Sequence, residues 1–320
     1  MTLRLSYIDT TRAILITMVV LGHILNYANP GYDIIPYTLA QAFMNSFHMP
    51  AFFLLSGMLT DSKKWKKRSV GAYFLHKSRA LLVPYLFFEC LAILYKHFVL
   101  RSVSLAEGFR LMLTLRCNVG ADWFLPAMFL ACALYCLYIR FPNRIVWGVI
   151  GAVLCVSLRF VPDGYLWTLL FRGALGFVFM LVGNLLKKLL TEYKWWKIVC
   201  AFLLTAVSAG ICFKLSLDNS FYSGTLAAPV LYCISGICGL YFVMGVAHLL
   251  PWKWPAKIGE NALTIMGTHQ LVLYTIPGNS SSPLWVLGMF CLVAAVEAVL
   301  IIIINRLCPM LVGKKFRKET

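Results

Sequence analysis

A carboxylate, a guanidinium and an imidazole share the first apolar run of this chain. Asp9 and Arg12 open it, and the stretch Ala13-Ile-Leu-Ile-Thr-Met-Val-Val-Leu-Gly22 that follows leads to His23, deep inside the run. At about 100° per residue, the three fall within about 60° of one another on a helix, forming one polar stripe. The rise from Arg12 to His23 is about 16 Å, which puts the imidazole near the middle of a bilayer core about 30 Å thick. An ionisable group at that depth is expensive and marks a site or a pathway. The plainer reading is a hydrogen bond to a neighbouring helix. Chemically, an imidazole with an ordinary pKa of about 6.5 suits a general base that takes a proton from a hydroxyl.

The elements that must position these groups are membrane helices. In 320 residues, 61% are hydrophobic and only 13% charged, and the mean hydropathy is +0.79. A soluble domain carries about 25% charged residues. The apolar runs are about 16–25 residues long, the length of spanning helices rather than of alternating barrel strands. Ten spans are expected, at 12–29, 38–59, 81–99, 122–139, 146–161, 165–186, 198–215, 225–250, 261–277 and 284–305. The fold class is therefore all-α, a polytopic membrane bundle of one domain over residues 1–320, without internal repeat or linker. With the N-terminus cytoplasmic, 22 of the 29 Lys and Arg fall inside, six outside and Arg172 in mid-span, as the positive-inside rule requires. Both termini are then cytoplasmic. The first run is read as a retained span, because no small-residue cleavage site follows it.

The net charge of +17 sits at the ends of apolar runs rather than in a soluble module, so nucleic acid is not expected as a partner. The 11 cysteines form no disulfide framework and no metal-type spacing, so no metal is expected.

Once the topology is set, several ionisable residues fall at one depth. His23, His48, Glu89, His269 and Glu297 lie within a slab about 6 Å thick by helical rise, which points to a shared hydrated cavity, since isolated burial is costly. Each has a plainer role. His48 satisfies carbonyls freed by Pro50, Glu89 pairs with a histidine or with Tyr85, and Glu297 makes a packing-level hydrogen bond. Arg172 either snorkels or meets an anionic group. Asp122-Trp123 opens the fourth span as helix cap and interfacial anchor. The loop Asp61-Ser-Lys-Lys-Trp-Lys-Lys-Arg68, with Lys77 and Arg79, binds anionic lipid or grips a phosphorylated ligand. Residues 100–121 are expected to include a short interfacial helix.

In order along the chain, Ile8-Asp9-Thr-Thr-Arg12 with Gly22-His23, Phe47-His48-Met49-Pro50-Ala-Phe52-Phe53-Leu-Leu-Ser56-Gly57, Arg79-Ala-Leu-Leu-Val-Pro84-Tyr85, Trp123-Phe124-Leu125 and Ile258-Gly259-Glu-Asn261 through His269 form a set. The chain resembles the membrane-bound acyltransferase family 3, and more closely its fucose 4-O-acetylase-like branch. The resemblance implies a ten-helix enzyme that moves an acyl group, usually acetyl, from cytoplasmic acyl-CoA to a hydroxyl of a glycan or lipid-linked sugar. It also implies that His23 matches the catalytic histidine, Arg12 its companion, and Arg79 the acyl-CoA-binding stretch. Where the family often has two arginines, this chain has Lys77 and Arg79, and no appended soluble esterase-like domain is expected. Asp9, His48 and Glu89 complete the expected catalytic group. Lys77, Arg68 and Ser56 join Arg79 at the donor, while His269, Arg172, Asp122, Trp123 and Asn26 face the acceptor. The resemblance suits a bacterial cytoplasmic membrane, with membrane lipids as partners. The competing class is a transporter or flippase for a saccharide or lipid-linked glycan, for which intramembrane His and Glu would serve proton coupling.

Overall fold

The computed structural model describes residues 6–158, 164–249, 253–276 and 278–313. Arg4, Arg159, Lys314, Lys315, Arg317 and Lys318 of the charge count lie outside them, as do the last residues of the expected spans 146–161, 225–250 and 261–277. In chain order the helices are α1 (Ser6–Ala28), α2 (Ile35–Asn45), α3 (His48–Leu59), α4 (Ser62–Lys66), α5 (Val70–Lys77) and, after a π turn at Ser78–Leu82, α6 (Val83–Phe98). Then come α7 (Leu105–Leu113), a 3-10 turn at Gly120–Trp123, α8 (Phe124–Arg140), α9 (Arg144–Leu158), α10 (Tyr165–Leu185), α11 (Lys187–Leu190) and α12 (Trp195–Lys214). A hairpin of β1 (Asn219–Ser220) and β2 (Thr225–Leu226) precedes α13 (Pro229–Leu249), α14 (Lys253–Glu260), α15 (Ala262–Tyr274) and α16 (Pro283–Leu307).

Among the described residues, eight helical stretches are long and apolar enough to cross a bilayer. The protein is an all-α polytopic membrane protein. The remaining two expected spans are the shorter helices α9, of 15 residues, and α15, of 13. Leu284 and Ile302 on α16 and Val149 and Val153 on α9 are exposed. Hydrocarbon makes such exposure inexpensive. Two spans depart from the expected form. Residues 38–59 are broken at Ser46-Phe47, because the Pro50 ring clashes with the carbonyl four residues back and cannot donate to it. The third span starts earlier, since Ser69 caps α5 through Ala72 N at 3.1 Å and the helix runs on through the basic stretch. The expected interfacial helix in 100–121 is α7, capped by Ser104 through Glu107 N.

The chain divides into two compact units. The first comprises residues 1–60, 179–262 and 278–291. Here α3 and the end of α10 touch backbone to backbone. A Cβ on Gly57 would stand 2.0 Å from the Met180 carbonyl oxygen, and one on Gly183 2.0 Å from that of Leu54. Only glycine on both sides permits that approach. Phe221 from the hairpin is buried and stacks on Phe53 at 5.0 Å. Tyr193 stacks on His248 at 4.8 Å, with Tyr7 of α1 edge-on to both.

The second unit comprises residues 61–178, 263–277 and 292–320. Trp65 is buried against Tyr73 and His76, and the Arg140 guanidinium donates to the carbonyls of Lys66 and Arg68. These contacts tie the basic segment to α8. Tyr85 Oη donates to the Met112 carbonyl at 2.9 Å, which holds α7 on α6.

Candidate active site

The α1 stripe exists, and its first two members pair. Arg12 Nη1 donates to Asp9 Oδ1 at 2.8 Å, with the Asp9 side chain 2% exposed and that of Arg12 35%. The acid is buried and the cation reaches outward. Arg12 therefore keeps N–H donors for an incoming anion while Asp9 fixes its base. His23 lies further along α1 and is half-buried, an exposure that suits proton exchange with a substrate. Asn26 sits one turn on, exposed, and its Oδ1 accepts from Gln41 Nε2 at 2.5 Å. That leaves its amide donors directed by the partner.

His48 opens α3 at the break, and its Nδ1 is 2.7 Å from the Met44 carbonyl oxygen. Carrying the proton on Nδ1 leaves Nε2 as the acceptor or base. The carbonyl it takes is Met44's, not that of Ser46, which Pro50 leaves without its helical donor. Ser56 is half-buried, and its own carbonyl accepts from Thr60 Oγ1 at 2.8 Å.

In the second unit, Arg68 and Arg79 are exposed and Lys77 is half-buried. The Arg68 guanidinium lies 5.5 Å from the Trp65 ring centroid, and Lys77 Nζ 5.7 Å from that of Tyr73. Arg79 stands on the π turn between α5 and α6. Such turns are frequent at functional sites, because the extra residue re-aims a side chain. The two kinds of cation differ in freedom: ring faces steady Arg68 and Lys77, whereas Arg79 projects from an irregular turn.

The acids of the second unit are used differently. Both Glu89 oxygens accept the Asn118 backbone N–H, at 2.8 and 2.9 Å, one also takes Asn118 Nδ2 at 2.7 Å, and the Val119 N–H adds a longer bond at 3.4 Å. Lys96 Nζ donates to the Asn118 carbonyl at 2.5 Å. Glu89 thus organises the loop before Trp123, where Leu115 and Cys117 adopt positive φ. Its expected pairing with Tyr85 does not form, because the Tyr85 hydroxyl is committed to Met112. Thr268 Oγ1 lies 2.8 and 2.9 Å from the two Glu297 oxygens. The cost that argued for a hydrated cavity is met for Glu89 by protein donors, whereas the Thr268 hydroxyl beside Glu297 has one proton and also lies 2.8 Å from the Thr264 carbonyl oxygen.

Asp122 is not a helix cap. The 3-10 turn begins before it, its own N–H bonds the Val119 carbonyl at 3.1 Å, and its fully buried carboxyl lies against that of Glu89. Nor is Trp123 an interfacial anchor: it is buried beneath the Arg172 guanidinium, 4.7 Å from its ring centroid. Arg172 is itself 3% exposed, with Tyr165 on another side, and does not snorkel. His269 is fully buried, with Nδ1 2.6 Å from the Ile265 carbonyl oxygen, the same arrangement as His48. Its neighbour Gln270 accepts the Ala121 N–H at 2.9 Å. Burial, with Glu89 and Asp122 close by, pushes the Cys117 thiol far above its ordinary range, so it offers no thiolate nucleophile.

Asn118, Thr268, Gln270 and Gly259 were not singled out as site residues by the sequence. The last three lie in or beside the Ile258–His269 stretch, where a polar residue next to a buried His was the available signal. Asn118 works chiefly through its backbone N–H, and no residue type announces that.

The acyltransferase-domain model of the acyltransferase 3 family matches residues 5–304. The chain is also similar to the nodulation protein NolL of Mesorhizobium japonicum, at 28% identity over 292 residues, covering 84% of this chain and 74% of that one. No solved structure matches it.

Proposed function

From the premise that the chain belongs to the acyltransferase 3 family, we propose that this membrane acyltransferase moves an acetyl group from acetyl-CoA to a hydroxyl of a cell-surface or lipid-linked glycan. The observation that carries the proposal is the family match across residues 5–304, together with a half-buried His23 on the same helix as the Asp9–Arg12 pair. A hydroxyl is barely ionised at neutral pH, so it needs a base at the moment of attack. The His23 imidazole takes the hydroxyl proton as that oxygen bonds to the thioester carbonyl carbon. The carbon–sulfur bond then breaks, and the imidazolium returns its proton to the leaving thiolate. The products are the O-acetyl ester and CoA, with His23 restored.

Arg12, fixed at its base by Asp9, supplies charge to an anionic group of the donor. Arg79, Lys77 and Arg68 receive phosphates, and Ser56 is a further donor contact. His48 Nε2 is an orienting acceptor or, when protonated, a donor to the developing oxyanion. Asn26 contacts the acceptor. His269, Arg172, Asp122 and Trp123, with Glu89 behind them, shape the acceptor environment. A glycan acceptor is in keeping with the fucose 4-O-acetylase-like resemblance, and a bacterial cytoplasmic membrane with the basic inner loops.

The test is release of free CoA from acetyl-CoA by purified protein in nanodiscs, with and without a lipid-linked glycan extract. The expected result is acceptor-dependent release in wild type that is lost in His23→Ala at equal thermal stability. A well-folded wild type that neither binds nor turns over any acyl-CoA across a panel of acceptors overturns the proposal and favours transport.

A further inference from the structure

The stretch Ile258-Gly259-Glu260-Asn261 has no part in the reaction just described, yet it packs on the helix that carries the site. We propose that Gly259 is a positioning residue for the Asp9–Arg12 pair, a role that rests on the reading of Arg12 above. A Cβ on Gly259 would stand 1.6 Å from the Asp9 carbonyl oxygen, 2.5 Å from the Asp9 carbonyl carbon and 3.1 Å from Ala13 N. All three are main-chain atoms, so none can rotate aside as a side chain would. They are also the two ends of one turn of α1, the turn from which Arg12 projects.

Glycine inside a helix costs about 1 kcal/mol relative to alanine, so a close approach is the physical reason to keep one in α14. The segment covered by that approach is buried on both sides of Arg12: Ile8, Asp9, Thr10, Thr11 and Ala13 are each 6% exposed or less. A methyl at position 259 must therefore open the α1 turn at the Asp9 carbonyl or lift α14 from α1. Either movement uncovers Asp9 and frees Arg12 from its fixed place on the helix. The charge and the chemistry of Arg12 stay the same while its position is lost. The backbone approach thus sets where the guanidinium stands, and the ion pair sets how it points.

Two readouts separate this role from ordinary packing. The first is the rate at which phenylglyoxal modifies Arg12, followed by mass spectrometry of that peptide in full-length protein in nanodiscs. Gly259→Ala is expected to raise it several-fold, as does Asp9→Asn. Gly151→Ala, whose added methyl meets only the Val178 and Phe177 side chains, leaves it unchanged. The second is a double-mutant cycle on acetyl-CoA turnover per folded molecule. A misplacement of about 1 Å costs about 10²-fold, and that loss should largely vanish in an Arg12→Gln background, because coupled residues are non-additive.

Should Gly259→Ala fail to fold, Asn261→Ala replaces it. It removes the 2.7 Å bond from Asn261 Nδ2 to the Lys257 carbonyl without adding bulk, and moves both readouts the same way by less. An unchanged Arg12 modification rate in the folded variants, or losses that simply multiply in the Arg12→Gln background, overturns the inference. Absence of any wild-type turnover counts against acyl transfer instead, and the modification rates still decide the positioning of Arg12.

Discussion

Asp9 and Glu89 are both carboxylates buried in membrane helices, yet their lone pairs are spent in opposite ways. Asp9 bonds a guanidinium three residues along its own helix, and that guanidinium is one-third exposed. Glu89 faces inward and is engaged by backbone and side-chain N–H groups of a loop. The first arrangement aims a cation outward, and the second closes a loop. Burial on a membrane helix gives both residues the same functional prior. What divides them is where the hydrogen-bond partner comes from: a charged side chain that reaches outward at Asp9, and the backbone and amide N–H groups of a buried loop at Glu89.

The largest expected effect belongs to the α1 side of this comparison. His23→Ala lowers turnover by about 10²–10⁴-fold, the contribution of a general base, while the melting temperature stays near that of wild type. Acetyl-CoA turnover and differential scanning fluorimetry on the same preparation check both halves. A next, opposite effect falls on Glu89→Ala. It strands the Asn118 and Val119 donors and costs about 3 kcal/mol of stability, while turnover per folded molecule falls far less. A denaturant or thermal series against wild type reads it.

Thr268→Val sharpens the same side of the comparison. It removes the hydroxyl that serves Glu297 and should cost about 1–3 kcal/mol, with turnover retained. The smallest effect is at the exposed pair on α7, where bonds from Arg110 hold the Glu107 carboxyl below its usual range. A carboxyl with a depressed folded-state pKa stabilises above its unfolded value, and that stabilisation disappears as pH falls through the folded one. Arg110→Ala is therefore expected to lower the melting point slightly at neutral pH and not at all in strong acid, because an exposed pair contributes little.

Much of the architecture was legible because it rests on run length and charge. The apolar runs located the helices, and the stretch from Ser104 reads as a short interfacial helix, whereas the helix start at Ser69 is hidden inside a basic run that reads as a loop. Pro50 marked the place where α2 and α3 part, but the sequence read a continuous span, since a proline in the middle of an apolar run is also compatible with a kink. Within the site, the stripe of Asp9, Arg12 and His23 followed from helical periodicity alone. Asp122 was misread because an acid before an apolar run is the usual sign of a cap. Whether it caps depends on where the backbone starts to turn, and here a 3-10 turn begins at Gly120. Trp123 was misread for a related reason, and of the two readings of Arg172 the snorkelling one fails with it: each has an interfacial habit, and only tertiary packing shows that they cover each other. Gly259 stayed silent because a close approach is a property of two backbones, and only one of them is in its own segment.

The most direct measurement compares His23→Gln with Glu89→Gln, each scored as acetyl-CoA turnover per folded molecule in nanodiscs. Turnover lost in His23→Gln and largely kept in the folded fraction of Glu89→Gln is the predicted result. Equal loss in both, or retention of turnover in a folded His23→Gln, contradicts the division between a reactive α1 and a structural Glu89.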